Sequence, residues 1–584
     1  MAPFINRCHF FIIKIMNLIH PGRIAALSFI YLCCFVFEGY AQQSFDAKRV
    51  EATTSAVIKK VYPACVRIWG YDTVKKAQNS AQFSGVVVTA EGHILTAAHA
   101  IRPGKTYLVN FPDGKTVLAE GMGRIASESQ GRPDAAMVKI KSKGIWPYAE
   151  MGWSSSIKLN SMCVSIAYPT SLSQKLPSVR FGRISRVTDF WGFMVSSCAM
   201  EPGDSGGPLF DDHGRVIGIH SRIGVDEKIN YEIPVDTYRK YWSVLNVAED
   251  YKSLPLQVDS SGVDLQEAQI KPVQELENME KHFSKPAFYF AGSCLLVRSE
   301  IKGKSQQVYA TLLSVDAKVS NSKFKAGSFL LSKSSLTGDH IVVETVNGKK
   351  NTAVVVSRDK ENDLVLLHVA AKLGTGVRLS ALPDTALKCN AIGKFLLSAM
   401  PGQSNKLSVL GSSYFSLDKK FSSGYFGASA TFINKQIVLT RIAPASPAAI
   451  AGLLLDDQIT VINGVPISLP PEYGREIMKY EPGDTIIVQG IRAGVPYNIS
   501  VHLTSMPAVG SHPADHFAGG KSRRRDGFKT VFTHDAIIKP EECGSPVFDL
   551  NGKFYGVNIA RFSRTSCLVM PADVISKFVL KSLK

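Results

Sequence analysis

At 584 residues the chain is longer than one hydrophobic core usually serves, so about three domains are expected. Its 67 Lys and Arg against 49 Asp and Glu leave a net charge of +18, which favours anionic surfaces. No basic helix, zinc-finger spacing or aromatic-basic ladder accompanies that excess, and this argues against nucleic acid as a partner.

The chain opens like an export signal. Residues 24–37 are almost wholly apolar, His20 and Arg23 precede them, and Gly39-Tyr40-Ala41 offers small residues where a signal peptidase reads. Cleavage of residues 1–41 would leave a periplasmic or secreted protein. If the segment were retained it would act as a membrane anchor, although its apolar run is short for a span. The remaining cysteines are Cys65, Cys163, Cys198, Cys294, Cys389, Cys543 and Cys567. They form an odd, sparse set without CxxC spacing, so neither a disulfide framework nor a zinc site is expected. No metal or other cofactor is called for.

Next come two apolar strands flanked by polar residues. HILTAAHA runs into a short turn carrying His99, and Asp134 opens DAAMVKI. Farther on, EPGDSGGPLF at 201–210 sets Ser205 within a tight glycine-rich turn. Such a serine needs a base to take its proton and a carboxylate to orient that base. His99 and Asp134 fit those roles, and their wide separation from Ser205 means that only folding can assemble them.

The strings GVVVTAEGHILTAAHA, DAAMVKI and GDSGGPLFDDHGRVIGI, in the order His, Asp, Ser, resemble the trypsin-like serine proteases, and within them the HtrA (DegP/DegQ) branch. The resemblance implies a trypsin-like domain over residues 54–245. It also implies an oxyanion hole made by the backbone N–H groups of Gly203 and Ser205, with Ala199 near the floor of the primary specificity pocket. With no carboxylate at Ala199, small or medium aliphatic residues are the expected preference rather than Lys or Arg.

Residues 246–284 read as a linker. Beyond it, the second half repeats the first with altered chemistry. NGKKNTAVVVSRDKENDLVLLHVA places Asp363 opposite Asp134, and PEECGSPVFDLNGKFYGVNIA places Cys543 opposite Ser205. Matching HILTAAHAI to SFLLSKSSL puts Ser334 where His99 stands. Gly203-Asp204 becomes Glu541-Glu542, which removes the turn glycine and sets two carboxylates against a developing oxyanion. The expected fold is therefore mainly β: two trypsin-like double β-barrel domains, the second inactive and formed by residues 285–420 and 528–581.

The surplus residues of the second half lie between its Gly411 and Cys543. Residues 421–506 resemble the PDZ modules attached to HtrA proteases, inserted into that barrel. On the resemblance, Tyr425, Phe426, Gly427 and Ala428 would present N–H groups to a peptide's C-terminal carboxylate, with a helix near residues 447–453 lining the side-chain pocket. Residues 507–527 read as a flexible return linker whose basic cluster at 521–525 is available to an anionic surface.

The expected function is an exported serine endopeptidase acting on unfolded or misfolded polypeptides through an acyl-enzyme. C-terminal peptides would be partners of the PDZ module; the resemblance suggests a homo-oligomer, while two barrels in one chain could satisfy through internal packing what relatives obtain from neighbours. The alternative is a catalytically latent, PDZ-containing peptide-binding or scaffold protein.

Overall fold

The computed structural model describes residues 46–126, 133–172, 174–259, 262–265, 292–315, 324, 327–379, 391–402, 405–507 and 512–584. The expected export signal, much of the linker at 246–284 and Cys389 lie outside these residues.

The first described element is the helix Ala47–Val61. It buries Val50, Thr54, Val57, Ile58 and Val61, the three- and four-residue spacing of a single helical face. Lys59 and Lys60 in its last turn suit the negative end of the helix, and Pro63 stops it. It ties the two halves of the chain together. Lys60 donates to the His213 carbonyl at 3.1 Å, and the Glu51 carboxylate accepts the Phe395 amide at 2.8 Å.

The strands then form two rings. In the first, Thr116–Ile125, Thr106–Asn110, Cys65–Asp72, Phe83–Val87, His93–Ala97 and Ala135–Ile140 pair in that order, and the last pairs back with Thr116–Ile125. Alternation along Thr106–Asn110 shows the two-residue period, with Tyr107 and Val109 directed into a core that also holds Val66, Ile68, Phe83 and Val138. The second ring is a closed barrel of Met194–Ser196, Asn230–Pro234, Val216–Ile223, Pro208–Phe210, Met162–Ala167 and Ser178–Arg186. Its core gathers Ile157, Cys163, Ile184, Met194, Leu209 and Ile217.

The second half uses the same strand order. Asp339–Glu344, Cys294–Ile301, Lys304–Ser314, Ser328–Lys333 and Leu364–Val369 follow one another as their counterparts do in the first ring. Asn405–Val409, Phe395–Ala399, Pro546–Asp549, Phe554–Arg561, Cys567–Pro571 and Phe528–His534 repeat the order of the second. Between Phe415–Leu417 and Phe528–His534 the chain leaves to form a separate six-stranded sheet with the short helices Pro447–Ile450 and Pro470–Ile477. Its departure and return are stapled. The Asp526 carboxylate accepts the amides of Lys420, Phe421 and Ser422, while Ser422 Oγ accepts the amide of Arg525 at 2.9 Å. Adjacent termini of this kind let a module sit inside a barrel without prising its strands apart.

The return segment is packed, unlike the flexible linker its composition suggests. Ser522, Arg524 and Asp526 are buried. Lys521 pairs with Asp515 at 2.5 Å, Arg523 donates to the Pro482 carbonyl at 2.7 Å, and the Arg524 and Arg525 guanidiniums lie over Phe528 and Phe421. Arg524 and Arg525 are thus engaged within the fold, whereas Lys521 and Arg523 stay exposed on the surface.

Among the described residues, Cys65, Cys163, Cys198, Cys294, Cys543 and Cys567 are free and buried. No described helix is long and apolar enough to cross a membrane.

Candidate active site

Between the first two rings lies a cleft of about 780 Å³ lined by His99, Asp134, Gly203 and Ser205, among others. Two of the three candidate catalytic side chains adjoin strand ends, and Ser205 lies in the turn before the strand Pro208–Phe210. His99 sits in the short helix Ala98–Ala100 that ends the strand His93–Ala97, and Asp134 immediately precedes Ala135–Ile140. Because Ala97 pairs with Ala135 in the ladder, the two residues reach the cleft side by side.

Their contact is double. Asp134 Oδ1 accepts the His99 amide at 2.9 Å, and Oδ2 lies 2.7 Å from His99 Nδ1. Ser221 Oγ donates to the same Oδ2 at 2.8 Å. Asp134 is buried and His99 about half exposed (51 %). Burial works against protonation of the imidazole, but the Asp134 hydrogen bond and charge outweigh it, so the His99 pKa stands above its ordinary value. Ser205 Oγ makes no hydrogen bond to His99 among the described residues, a looseness common in such sites before substrate binds.

The serine turn is held from several sides. Ser84 donates its amide to the Ser205 carbonyl at 2.9 Å and its Oγ to the Gly203 carbonyl at 2.8 Å. Asp204, fully buried, receives a bidentate ion pair from buried Arg180 at 2.8 and 3.1 Å and accepts the Glu201 amide at 2.9 Å. Gly203 has φ +99°, and a Cβ there would stand 2.6 Å from the Tyr168 carbonyl oxygen, so only glycine fits. The amides of Gly203 and Ser205 donate to no acceptor among the described residues.

Ala199 is half-buried and does not itself line the cleft, where Met200, Glu201 and Pro202 do. A carboxylate therefore does lie near this wall, two residues beyond the expected position. It is buried and accepts from Ser171 Oγ, and burial together with the Asp204 charge raises its pKa. Arg180, Ser221 and Ser84 were not evident in the sequence, because nothing in their own strands marks them as partners of residues so distant in the chain.

The second half shows what became of the same site. Ser335, rather than Ser334, occupies the His99 position. Lys333 pairs with Leu364 as Ala97 pairs with Ala135, and Asp363 Oδ1 accepts the Ser335 amide at 2.7 Å as Asp134 accepts that of His99. Cys543 does stand at the serine position, since Gly544 donates to the Asn558 carbonyl as Gly206 does to that of His220.

A lysine fills the vacated space. Lys333 Nζ, 1 % exposed, bonds Asp363 Oδ2 at 2.5 Å and the carbonyls of Arg524 and Ile559 at 2.9 and 2.7 Å. The return segment crosses here as well, Ser522 exchanging hydrogen bonds with the Arg561 backbone at 2.8 and 2.9 Å. Burial pushes the Cys543 thiol up despite the nearby Lys333 charge, and among the described residues no histidine hydrogen-bonds it. This cleft is plugged.

In the inserted module, Phe426 and Gly427 donate their amides to nothing described, but the Tyr425 amide is taken by the Thr504 carbonyl at 2.7 Å. That removes Tyr425 from the expected set of carboxylate-facing amides. The helix beside the strand Ala428–Ile433 is Pro470–Ile477, whose Tyr473 hydroxyl donates to the Ala428 carbonyl at 3.0 Å. The expected pocket helix near residues 447–453 instead supports the loop from behind, its Ala448 amide donating to the Phe426 carbonyl.

The trypsin-like peptidase domain family matches residues 83–219, a stretch holding His99, Asp134 and Ser205, and the PDZ domain family matches 424–503. The chain combines a trypsin-like peptidase domain with a PDZ domain and is in this HtrA-like. A probable periplasmic serine endoprotease DegP-like of Hahella chejuensis is 26% identical over 436 residues, covering 72% of this protease and 80% of its own length. The putative serine protease HhoA of Synechocystis is 31% identical over 166 residues, 27% of this chain and 41% of its own. This HtrA-like chain thus spans most of the first relative and under half of the second.

Proposed function

We propose that this HtrA-like protease is an exported endopeptidase that cuts unfolded polypeptides through an acyl-enzyme on Ser205. The observation that carries the reading is the 2.7 Å His99–Asp134 contact, in the same cleft as Ser205 and the two unclaimed amides of Gly203 and Ser205. His99 takes the proton from Ser205 as the hydroxyl attacks, and Asp134 holds the ring so that its other nitrogen faces the serine. The Gly203 and Ser205 amides receive the tetrahedral oxyanion; one such donor contributes about 3–4 kcal/mol to the barrier reduction. His99 then protonates the leaving amine and activates the water that releases the acyl group.

The pocket wall supports a preference for small or aliphatic residues before the cleaved bond, since the nearby Glu201 carboxylate is buried and accepts from Ser171. An apolar pocket separates substrates by only about 1–3 kcal/mol per methylene, which suits broad cleavage of unfolded chains. C-terminal peptides are the proposed ligands of the PDZ module, received by the Phe426 and Gly427 amides. The periplasmic description carried by the Hahella relative, with the apolar N-terminal segment, supports export. The test is hydrolysis of an unfolded protein by the wild type and by Ser205→Ala: cleavage is expected only from the former, and cleavage by the variant would exclude this site.

A further inference from the structure

The second barrel has a plugged cleft, yet it grips the first barrel at a turn that is hydrogen-bonded to the wall of the first cleft. The strands Val216–Ile223 and Asn230–Pro234 are joined there by a tight turn, closed by Gly224 N–H to the Ile229 carbonyl at 2.8 Å. Two fully buried arginines of the second barrel grip that turn. Arg564 donates to the carbonyls of Gly224 and Asp226 at 3.0 and 2.8 Å, and Arg561 pairs with the Glu227 carboxylate at 2.7 Å. The return segment of the PDZ insertion adds the Ala518 amide on the other Glu227 oxygen at 3.2 Å.

From Glu227 a short relay leads to the cleft. Its carbonyl accepts Asn230 Nδ2 at 2.9 Å, and Asn230 Oδ1 accepts the amide of Met200 at 3.0 Å. Met200 lines the cleft, three residues before Gly203. A second contact arrives by a different route. Asp535 of the second barrel accepts the amide of Phe181 at 2.9 Å, next to the Arg180 that holds Asp204.

Buried ion pairs add little net stability compared with apolar residues of the same volume, because desolvation offsets the attraction. What such groups supply is a defined position for the segment they hold.

We propose that Arg561 and Arg564 are positioning residues for proteolysis in the first barrel. The inactive copy works as a built-in clamp that keeps the 224–229 turn, and through Asn230 the Met200–Gly203 wall, in register. The proposal rests on the reading of Ser205 as the nucleophile for its kinetic readout, and on the geometry alone for its structural one.

The test uses the full chain with Arg564→Met, Arg564→Lys and Glu227→Gln. Each is assayed for kcat and KM on a peptide substrate, for melting temperature, and for amide hydrogen exchange at 199–206 and 224–230. Arg564→Met and Glu227→Gln are expected to lower kcat/KM tenfold or more while melting stays cooperative, with Arg564→Lys recovering part of the loss. Exchange in both segments should rise at least tenfold. If one variant does not fold, the other two decide. Folded variants with kcat/KM within twofold of wild type and unchanged exchange would overturn the clamp. An inactive wild type would count against the enzyme reading, and exchange would still judge the clamp by itself.

Discussion

Arg180→Met takes the cation from beneath the oxyanion turn while nearly keeping the side-chain volume. Arg180 and Asp204 are 2 % and 0 % exposed and share two hydrogen bonds, so the substitution strands a carboxylate with only the Glu201 amide for a partner. Breaking a buried pair from one side costs about 3–5 kcal/mol. For a cooperative unit of 150–250 residues that corresponds to a fall of roughly 6–20 °C in melting temperature. The turn at 201–205 can also relieve the strain by swinging Asp204 toward solvent, which misplaces the Gly203 amide and lowers kcat by about 10²–10³. Melting curves and steady-state kinetics on one preparation separate the two outcomes, and Arg180→Met with Asp204→Asn should recover much of the stability because no buried charge remains. A single Arg180→Met variant that melts within about 1 kcal/mol of wild type and keeps kcat within twofold would refute the reasoning.

Three further outcomes follow from other contacts. Because Asp134 raises the His99 pKa, kcat/KM should climb with pH through a midpoint above 6.5, and Asp134→Asn should move that midpoint down, since burial and the Arg222 and Arg124 charges then act without the opposing carboxylate; a pH–rate profile with an unmoved limb would contradict it. Lys333→Met leaves Asp363 without its counter-ion and should destabilise the chain by about 3 kcal/mol or more in denaturant unfolding; an unchanged midpoint would show that the lysine is not holding the plugged cleft. Tyr473→Phe frees the Ala428 carbonyl for an incoming strand at a cost of about 1 kcal/mol, so C-terminal peptides should bind more tightly by calorimetry; equal or weaker binding would mean that the hydroxyl does not guard the groove.

The site was legible where chemistry and backbone demands coincide in a short string. DSGG needs its glycines to turn and its serine to react, so the motif carries its geometry with it. The tie between His99 and Asp134 was legible because each flanks an apolar strand, His99 just after one and Asp134 just before another. Reading Ser334 as the counterpart of His99 erred by one residue, since adjacent serines give a sequence match no way to choose. Only the Lys333–Leu364 ladder partner and the Asp363 bond to the Ser335 amide choose between them.

Arg180 was invisible for a different reason. On the strand Ser178–Arg186 it reads as an ordinary surface cation, and what buries it is a carboxylate 24 positions away. The segment 521–527 misled through composition. Its polar residues satisfy backbone groups of the barrel and of the insertion's junction, which is as good a use of polarity as solvent exposure.

The central claim is that Ser205 is a nucleophile activated by His99 beside unclaimed backbone donors. Labelling of the intact chain with a fluorophosphonate, followed by mass mapping, tests it most directly, with and without a C-terminal peptide present. One phosphonyl group on Ser205 is expected, absent from Ser205→Ala and slowed at least a hundredfold by His99→Ala. An unlabelled wild type under both conditions, or a label placed elsewhere, would contradict it.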